Sequence, residues 1–375
     1  MDQVRRDRES ISVALLGSGG AGVLTAGSMV TEIAAASGWY GFISRSVGPQ
    51  IRGGEAAALV RLATWPVGCM NGPFDVVVAI DWNNASRFSS EIPLTSQSIV
   101  VGDPAGGGAP DYVVESGARL VEIPLAEMAK SIEGGRANMF AVGLILGLVG
   151  VPSDHAGNVV RKQLSAKGEA AVEAGMMALE AGFAQAGKID GSPRFSSLPS
   201  AQGERWLITG NEATGLGAIR GGGRFAAAYP ITPATEILEW LSPALTKVGG
   251  ILVQAEDELA SINMAIGASF GGKPSLTATS GPGLSLMIEA LGLATAAEVP
   301  VVVIDVMRGG PSTGIPTKSE QSDLNIAIYG CHGDAPHVVV APLSVSDCVF
   351  TAQWAFHLAE TLQAPAIVLS DQFLG

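Results

Sequence analysis

What this 375-residue chain has little of narrows its function before any motif is read. It has three cysteines, Cys69, Cys331 and Cys348, far apart and without a CxxC pair. That excludes a disulfide framework and the ligand spacing of an iron–sulfur cluster, so any electron relay is expected on another chain. The four histidines, His155, His332, His337 and His357, have no partners at metal-binding spacing, and a structural role is expected for them. Positive charge is scarce, with 22 Lys and Arg against 35 Asp and Glu. The net charge of −13 argues against nucleic-acid or anionic-membrane binding, which depends on basic patches. The longest apolar run, residues 139–151, is too short to span a bilayer, and the N-terminal MDQVRRDRES lacks the apolar stretch of a secretory signal. A soluble, cytoplasmic protein is expected.

What remains is apolar and glycine-rich. Hydrophobic residues make up 47%, charged residues only 15%, and there are 49 glycines, the composition of a compact α/β protein with subunit contacts. The length suits two domains, each with its own core. Residues 11–37 read as strand, Gly-rich turn and amphipathic helix, with Gly17, Gly19 and Gly22 in a GxGxxG arrangement that lets backbone approach a phosphate. No acid closes the next strand, residues 40–44, and Arg45 and Arg52 stand there instead, which counts against NAD. Further strands at 56–62, 76–80, 99–101 and 120–123 predict a doubly wound, Rossmann-like sheet. A helix near 126–132 and helical segments from 137 to 187 follow, with Met176 and Met177 expected in the core. The polar, proline-bearing stretch 188–204 breaks both periodicities. It places a linker at 191–203 between domains 1–190 and 204–375.

The second series opens with a strand at 206–210 and a Gly-containing helix start at 211–218. A strand at 225–229 then leads through Tyr229-Pro230-Ile231-Thr232-Pro233 into a helix over 234–248. Two prolines stiffen that loop, so the Thr232 hydroxyl is either aimed at a ligand or caps the helix. A strand at 251–254 is expected to be buried. The following helix, 258–270, carries Leu259, Ile262, Ala265, Ile266 and Phe270 on one apolar face. Glu256, Asp257 and Glu258 therefore lie where a parallel strand hands over to a helix. Open sheets bind ligands there, and acids also favour a first helical turn. After the strand 275–279 comes Thr279-Ser280-Gly281-Pro282-Gly283, then a helix from about 284. The buried strand 301–306 ends in Arg308 and a Gly/Pro-rich loop, placing a guanidinium where it could grip a carboxylate. Strands 338–341 and 366–369 flank a helix over 345–362.

Four segments carry a resemblance. The turn at 279–283 resembles that of pyrimidine-binding domains in thiamine-dependent enzymes. Residues 229–236 resemble the YPITPSS motif, and 308–317 the RGGPSTGxPT motif, of 2-oxoacid:ferredoxin oxidoreductases. Residues 46–55 are similar to that family's YGPxxRGG loop, with Val47 and Gln50 where Tyr and Glu are usual; a crossover loop and a wall near coenzyme A or a partner both remain open for it. The chain is identified as a member of that family, an alpha subunit with a gamma domain fused at its N-terminus, resembling the 2-oxoglutarate enzymes. The resemblance implies that Glu258, or Glu256 as second choice, activates the aminopyrimidine of thiamine diphosphate. It also implies that Pro233, Ser280, Gly281, Pro282 and Gly283 line the cofactor, and that Arg308 and Thr232 bind the 2-oxoacid. No GDG…N signature is present, since Asn83-Asn84 lacks a preceding GDG. The diphosphate site, Mg2+ and an iron–sulfur (4Fe-4S) cluster are thus implied on a beta subunit in an (alpha-beta)2 hetero-oligomer, with coenzyme A as co-substrate and ferredoxin as acceptor. Many family members continue beyond a similar SDQ-type strand; natural shortness, a separate chain and truncation all remain open. The rival readings are a thiamine-dependent 2-oxoacid decarboxylase or acetohydroxyacid synthase-type lyase, and a non-catalytic coenzyme A- or nucleotide-binding module.

Overall fold

The computed structural model describes residues 7–48, 54–195, 199 and 205–375. The loop around Arg52 and most of the 191–203 stretch lie outside these residues. The chain forms two compact units, Met1–Leu207 and Ile208–Gly375.

The strands of the first unit are β1 (Asp7–Arg8), β2 (Ser10–Ser18), β3 (Tyr40–Val47), β4 (Glu55–Ala63), β5 (Val76–Ala79), β6 (Ile99–Gly102), β7 (Arg119–Glu122) and β8 (Arg194–Phe195). Its helices are α1 (Val23–Ala36), α2 (Asp111–Glu115), α3 (Leu125–Lys130), α4 (Ala137–Val149), α5 (Ala156–Leu164) and α6 (Glu169–Ala186). The main sheet has the order β3-β4-β2-β5-β6-β7. It is mixed: β2, β5, β6 and β7 run parallel, whereas β4 pairs antiparallel with both β2 and β3. The link from β3 to β4 is too short for a helical crossover, so the chain turns straight back on itself. Helix α4 is apolar on every side, and Met139 to Val149 are all buried. Met176 packs against the core, but Met177 is exposed, contrary to the expectation for both.

The second unit contains α7 (Gly210–Arg220), β9 (Phe225–Ala228), α8 (Thr235–Lys247), β10 (Ile251–Gln254), α9 (Glu258–Phe270), β11 (Ser275–Thr279), α10 (Gly281–Ala296), β12 (Val302–Met307), α11 (Leu324–Tyr329), β13 (Val338–Val340), α12 (Val345–Leu362) and β14 (Ala366–Asp371). Its sheet, β10-β9-β11-β12-β14-β13, is parallel throughout. One face packs Ala226, Leu276, Ile304 and Val368 against α8 and α12, and the other packs Val303, Met307 and Leu369 against α9 and α10. This doubly wound arrangement is the one expected for both domains.

Three local expectations differ. Residues 206–209 form no strand; Thr209 instead begins α7 with a capping box, its hydroxyl accepting from Glu212 N and Glu212 returning to Thr209 N. β10 is the sheet's edge, with Ile251 exposed, because apolar content does not distinguish an edge strand from a central one. On α9, Ile262, Ala265 and Ile266 are buried, but Leu259 and Phe270 at its two ends are exposed.

Helices α4 and α6 meet backbone to backbone. A Cβ on Gly143 would collide with the Leu179 carbonyl, and one on Gly182 with the Phe140 carbonyl. Gly143→Ala should therefore destabilise the chain by about 1–3 kcal/mol, as overpacking does, despite alanine's better helix propensity. Gly157→Ala, where a Cβ meets nothing, should instead stabilise by about 0.4–1 kcal/mol. Urea unfolding of the two variants checks the contrast.

Candidate active site

The acidic cluster divides its work by burial. Asp257 is exposed and caps α9, accepting from Ala260 N at 2.6 Å. Glu256 is exposed as well. With the cap supplied by Asp257, the Glu258 side chain is free to turn inward, where it is 8% exposed, and no described donor reaches its carboxylate.

Glu258 is held there by the Gly-Pro-Gly segment. The expected turn is the opening of a helix, because α10 starts at Gly281, not near residue 284. Pro282 sits in its first turn, where the missing N–H has no intrahelical partner to lose. A Cβ on Gly283 would strike Thr279 Oγ1 and come within 2.7 Å of Glu258 Cγ and 3.0 Å of its Oε1. The hydroxyl of Ser280 is fully buried beside this contact and has no hydrogen-bond partner among the described residues.

Arg308 closes the other side. It is 7% exposed, and its Nη1 donates to the Thr232 carbonyl at 2.7 Å while its Nη2 donates to the Thr313 carbonyl at 2.5 Å. Thr232 and Arg308 are thus brought together through the threonine's backbone. The Thr232 side chain is exposed and α8 begins beyond it, so it is not that helix's cap. Pro233 is buried, its carbonyl receiving Asn211 Nδ2 at 3.1 Å. Asn211, which sequence reasoning passed over as part of a helix start, is fully buried at the opening of α7 and supports the loop from behind.

Two further acids were missed. Asp305 in β12 is completely buried, and neither of its oxygens has a hydrogen-bond partner among the described residues. Burial, and then the neighbouring charge of Asp323, push its carboxyl well above the usual range. Asp323 is buried too and is also raised, chiefly by burial. Burial lowers the Arg308 guanidinium, and Asp323 opposes that shift. The available signal was a lone acid inside the apolar run VVVIDV. Elsewhere, His337 is structural as expected, its ring nitrogens lying 2.7 Å from the Ala335 and Ala327 carbonyls.

In the first unit, Gly17, Gly19 and Gly22 do surround the start of α1, but much of that turn is internally bonded. Asp81 accepts from Ser18 N and Ser18 Oγ, both at 2.9 Å. Gly19 N donates to Gly54 O and Ala21 N to Ser18 O. A Cβ on Gly22 would meet Asn138 Nδ2 at 2.5 Å. Among the described residues no group of three or more His, Cys, Asp or Glu could hold a metal ion, and no helix is long and apolar enough to cross a membrane.

A parallel doubly wound sheet with a buried acid at the carboxyl end of one strand, opposite a Gly-Pro-Gly helix start on the next, defines an open α/β unit of the kind that binds ligands at its strand ends. Residues 216–375 match the family described as pyruvate flavodoxin/ferredoxin oxidoreductase, thiamine diP-binding, and residues 12–185 match pyruvate ferredoxin/flavodoxin oxidoreductase. The chain is 34% identical to the 2-oxoglutarate oxidoreductase subunit KorA of Mycobacterium tuberculosis, over 98% of this chain and 61% of that protein. It is 52% identical to the 2-oxoglutarate synthase subunit KorA of Archaeoglobus fulgidus, over 46% of this chain and 50% of that one. Among solved structures it superposes with a TM-score of 0.89 on the 2-oxoglutarate:ferredoxin oxidoreductase of Magnetococcus marinus, a structure with 2-oxoglutarate, coenzyme A and succinyl-CoA bound. There the identity is 38%, and the match covers 98% of this chain and 64% of the other. The chain belongs to the 2-oxoacid:ferredoxin oxidoreductase family. It spans between about half and two thirds of the length of these relatives.

The division of labour between neighbouring acids has a measurable consequence. Asp257→Ala should cost about 0.5–2 kcal/mol of stability, as loss of an N-cap does. Glu258→Gln, which leaves the cap intact, should cost less than Asp257→Ala in the same thermal or urea unfolding series.

Proposed function

We propose that this chain is the alpha-type subunit of an enzyme that oxidatively decarboxylates a 2-oxoacid, with 2-oxoglutarate as the leading candidate, to the corresponding acyl-coenzyme A. The observation that carries this reading is Glu258, buried behind the Gly-Pro-Gly start of α10 while Asp257 takes over capping. Its carboxylate, with no described donor, and the unpartnered Ser280 hydroxyl suit the amino and ring nitrogens of an aminopyrimidine. When bound, thiamine diphosphate supplies the carbanion that attacks the 2-oxoacid carbonyl. Glu258 holds or releases a proton at the pyrimidine nitrogen. Pro233, Gly281, Pro282 and Gly283 shape the wall around it. Arg308 has five N–H donors and uses two described hydrogen bonds to carbonyls, so its remaining donors can take the substrate carboxylate while the same side chain fixes the Thr232 loop.

The relatives' names support 2-oxoglutarate as substrate, and coenzyme A as acyl acceptor follows the Magnetococcus structure's bound molecules. The chain lacks a GDG…N motif and closely spaced cysteines. A beta subunit bearing the diphosphate-binding domain, Mg2+ and a 4Fe-4S cluster therefore completes the catalyst, in an (alpha-beta)2 assembly that reduces ferredoxin in the cytoplasm.

Glu258→Gln in the assembled enzyme tests the central residue. Proton exchange at the thiazolium carbon and turnover should both fall by the ~10²–10⁴ that a positioned acid–base group contributes. Wild-type exchange in this variant, with Glu256→Gln slow instead, would transfer the role upstream. Arg308→Lys keeps the charge but loses the planar fork, and kcat/KM for 2-oxoglutarate should drop roughly tenfold to a hundredfold with thiamine diphosphate still bound. An unchanged kcat/KM would remove Arg308 from substrate binding.

A further inference from the structure

Asp305 is the most deeply buried ionisable group at the site, and catalysis as proposed above gives it no task. It projects from β12 onto the face that carries α9 and α10, in register with Thr279 of β11. It is fully buried, and no N–H or hydroxyl donor among the described residues reaches either carboxyl oxygen. The Asp323 carboxyl, itself an acceptor when ionised, lies against it and raises it further. Two ionised carboxylates in contact inside a protein repel strongly, whereas one proton between them turns the pair into donor and acceptor.

The surroundings set how much charge the pair carries. Arg308 is close enough to Asp323 for each to shift the other's charge, while Glu320 acts on Asp323 in the opposite sense. The first turn of α10 touches the same carboxyl, since a Cβ on Gly281 would lie 2.7 Å from Asp323 Oδ2. That turn is the positive end of a helix dipole. Glu258 lies on the same face beyond Thr279. One negative charge is balanced by Arg308 and the helix end; two would leave a carboxylate unmatched and undonated.

We propose that Asp305 and Asp323 hold one proton between them, that Asp323 bears the pair's single negative charge as counter-ion to Arg308, and that the two are positioning residues for the anion taken up at that arginine. The last element rests on the 2-oxoacid reading above; the shared proton does not. Because Asp323 competes with an incoming carboxylate for Arg308, it tempers the site's affinity for anions. Asp305 supplies the donor that keeps that negative charge on Asp323.

The shared proton is tested on the full chain by infrared spectroscopy with 13C-labelled aspartate at neutral pH. A protonated-carboxyl C=O band should be present in the wild type and lost in Asp305→Asn. No such band in the wild type, or an undiminished one in Asp305→Asn, overturns the proposal whatever reaction the enzyme performs. In the assembled enzyme, Asp305→Asn, which keeps shape and an N–H donor, should retain several-fold more turnover than Asp305→Ala, and equal loss in both removes the donor role. Asp323→Asn frees Arg308 of its counter-ion, so KM for 2-oxoglutarate should fall roughly tenfold without a rise in kcat. A KM that is unchanged or higher overturns the counter-ion role. If Asp323→Asn does not fold, the wild-type band and the Asn-against-Ala comparison at position 305 decide. Failure of the underlying reading looks different: Arg308→Lys would leave kcat/KM unchanged while the infrared band persisted.

Discussion

The candidate site depends on how closely the first turn of α10 approaches the end of β11. At Gly283 there is no room for a side chain: a single Cβ would meet Thr279 and Glu258 together. At Gly281 it would meet Asp323. The two glycines thus let one helical turn wedge between a buried glutamate on one side and a buried aspartate on the other. Pro282 between them fixes φ and removes an N–H that the helix start does not use. Any other residue at Gly283 would loosen the packing around Glu258, and one at Gly281 would displace the Asp323 carboxyl.

Arg308 sets the second constraint. Its two carbonyl contacts, to Thr232 and Thr313, tie the loop after β9 to the loop after β12 across the intervening β11. The loop after β12 closes on itself through backbone bonds among Gly309, Ile315 and Lys318, and a planar cation with divergent donors joins it to the proline-bearing loop after β9. A lysine at this position could carry the charge but could not span both carbonyls with a rigid fork. In the proposed function, substrate binding and loop positioning fall on the same side chain, which makes its electrostatic balance matter more than at a simple anion site.

Much of this was legible in the sequence because the elements that carry it are strongly periodic. Ile251–Gln254, Glu258–Phe270, Ser275–Thr279 and Val345–Leu362 have the expected bounds. What the pattern could not supply was the neighbour. Leu259 and Phe270 fit the helical stripe, yet they lie at its ends, beyond the stretch of α9 that packs on the sheet. Ile251 fits a buried strand but sits at the edge, because strand order is a tertiary property. The resemblance put Glu258 ahead of Glu256, but only α9 shows that Asp257 is the cap and that Glu258 is the buried acid of the three. Asp305 was visible as an acid in an apolar run, but its meaning depends on Asp323, which reaches it from a loop with no periodicity to announce the contact.

The first unit shows why a glycine pattern alone is weak evidence for a ligand. Gly22 has φ 80° and makes room for Asn138 of α4, and Gly17 lies against Val23 and Asp81, so the motif's spacing is already accounted for by packing. The amide of Ser18 donates to Asp81, and Asn83 N donates to the same carboxylate at 3.1 Å. A diphosphate brought to that amide would have to displace a carboxylate and then sit beside its negative charge, which opposes the use such turns have at helix N-termini. In the second unit the glycines do two things at once: they permit close packing, and that packing buries an acid with no described donor. It is this second consequence, a carboxylate whose bonding is left for something else to complete, that separates a site from a well-packed turn.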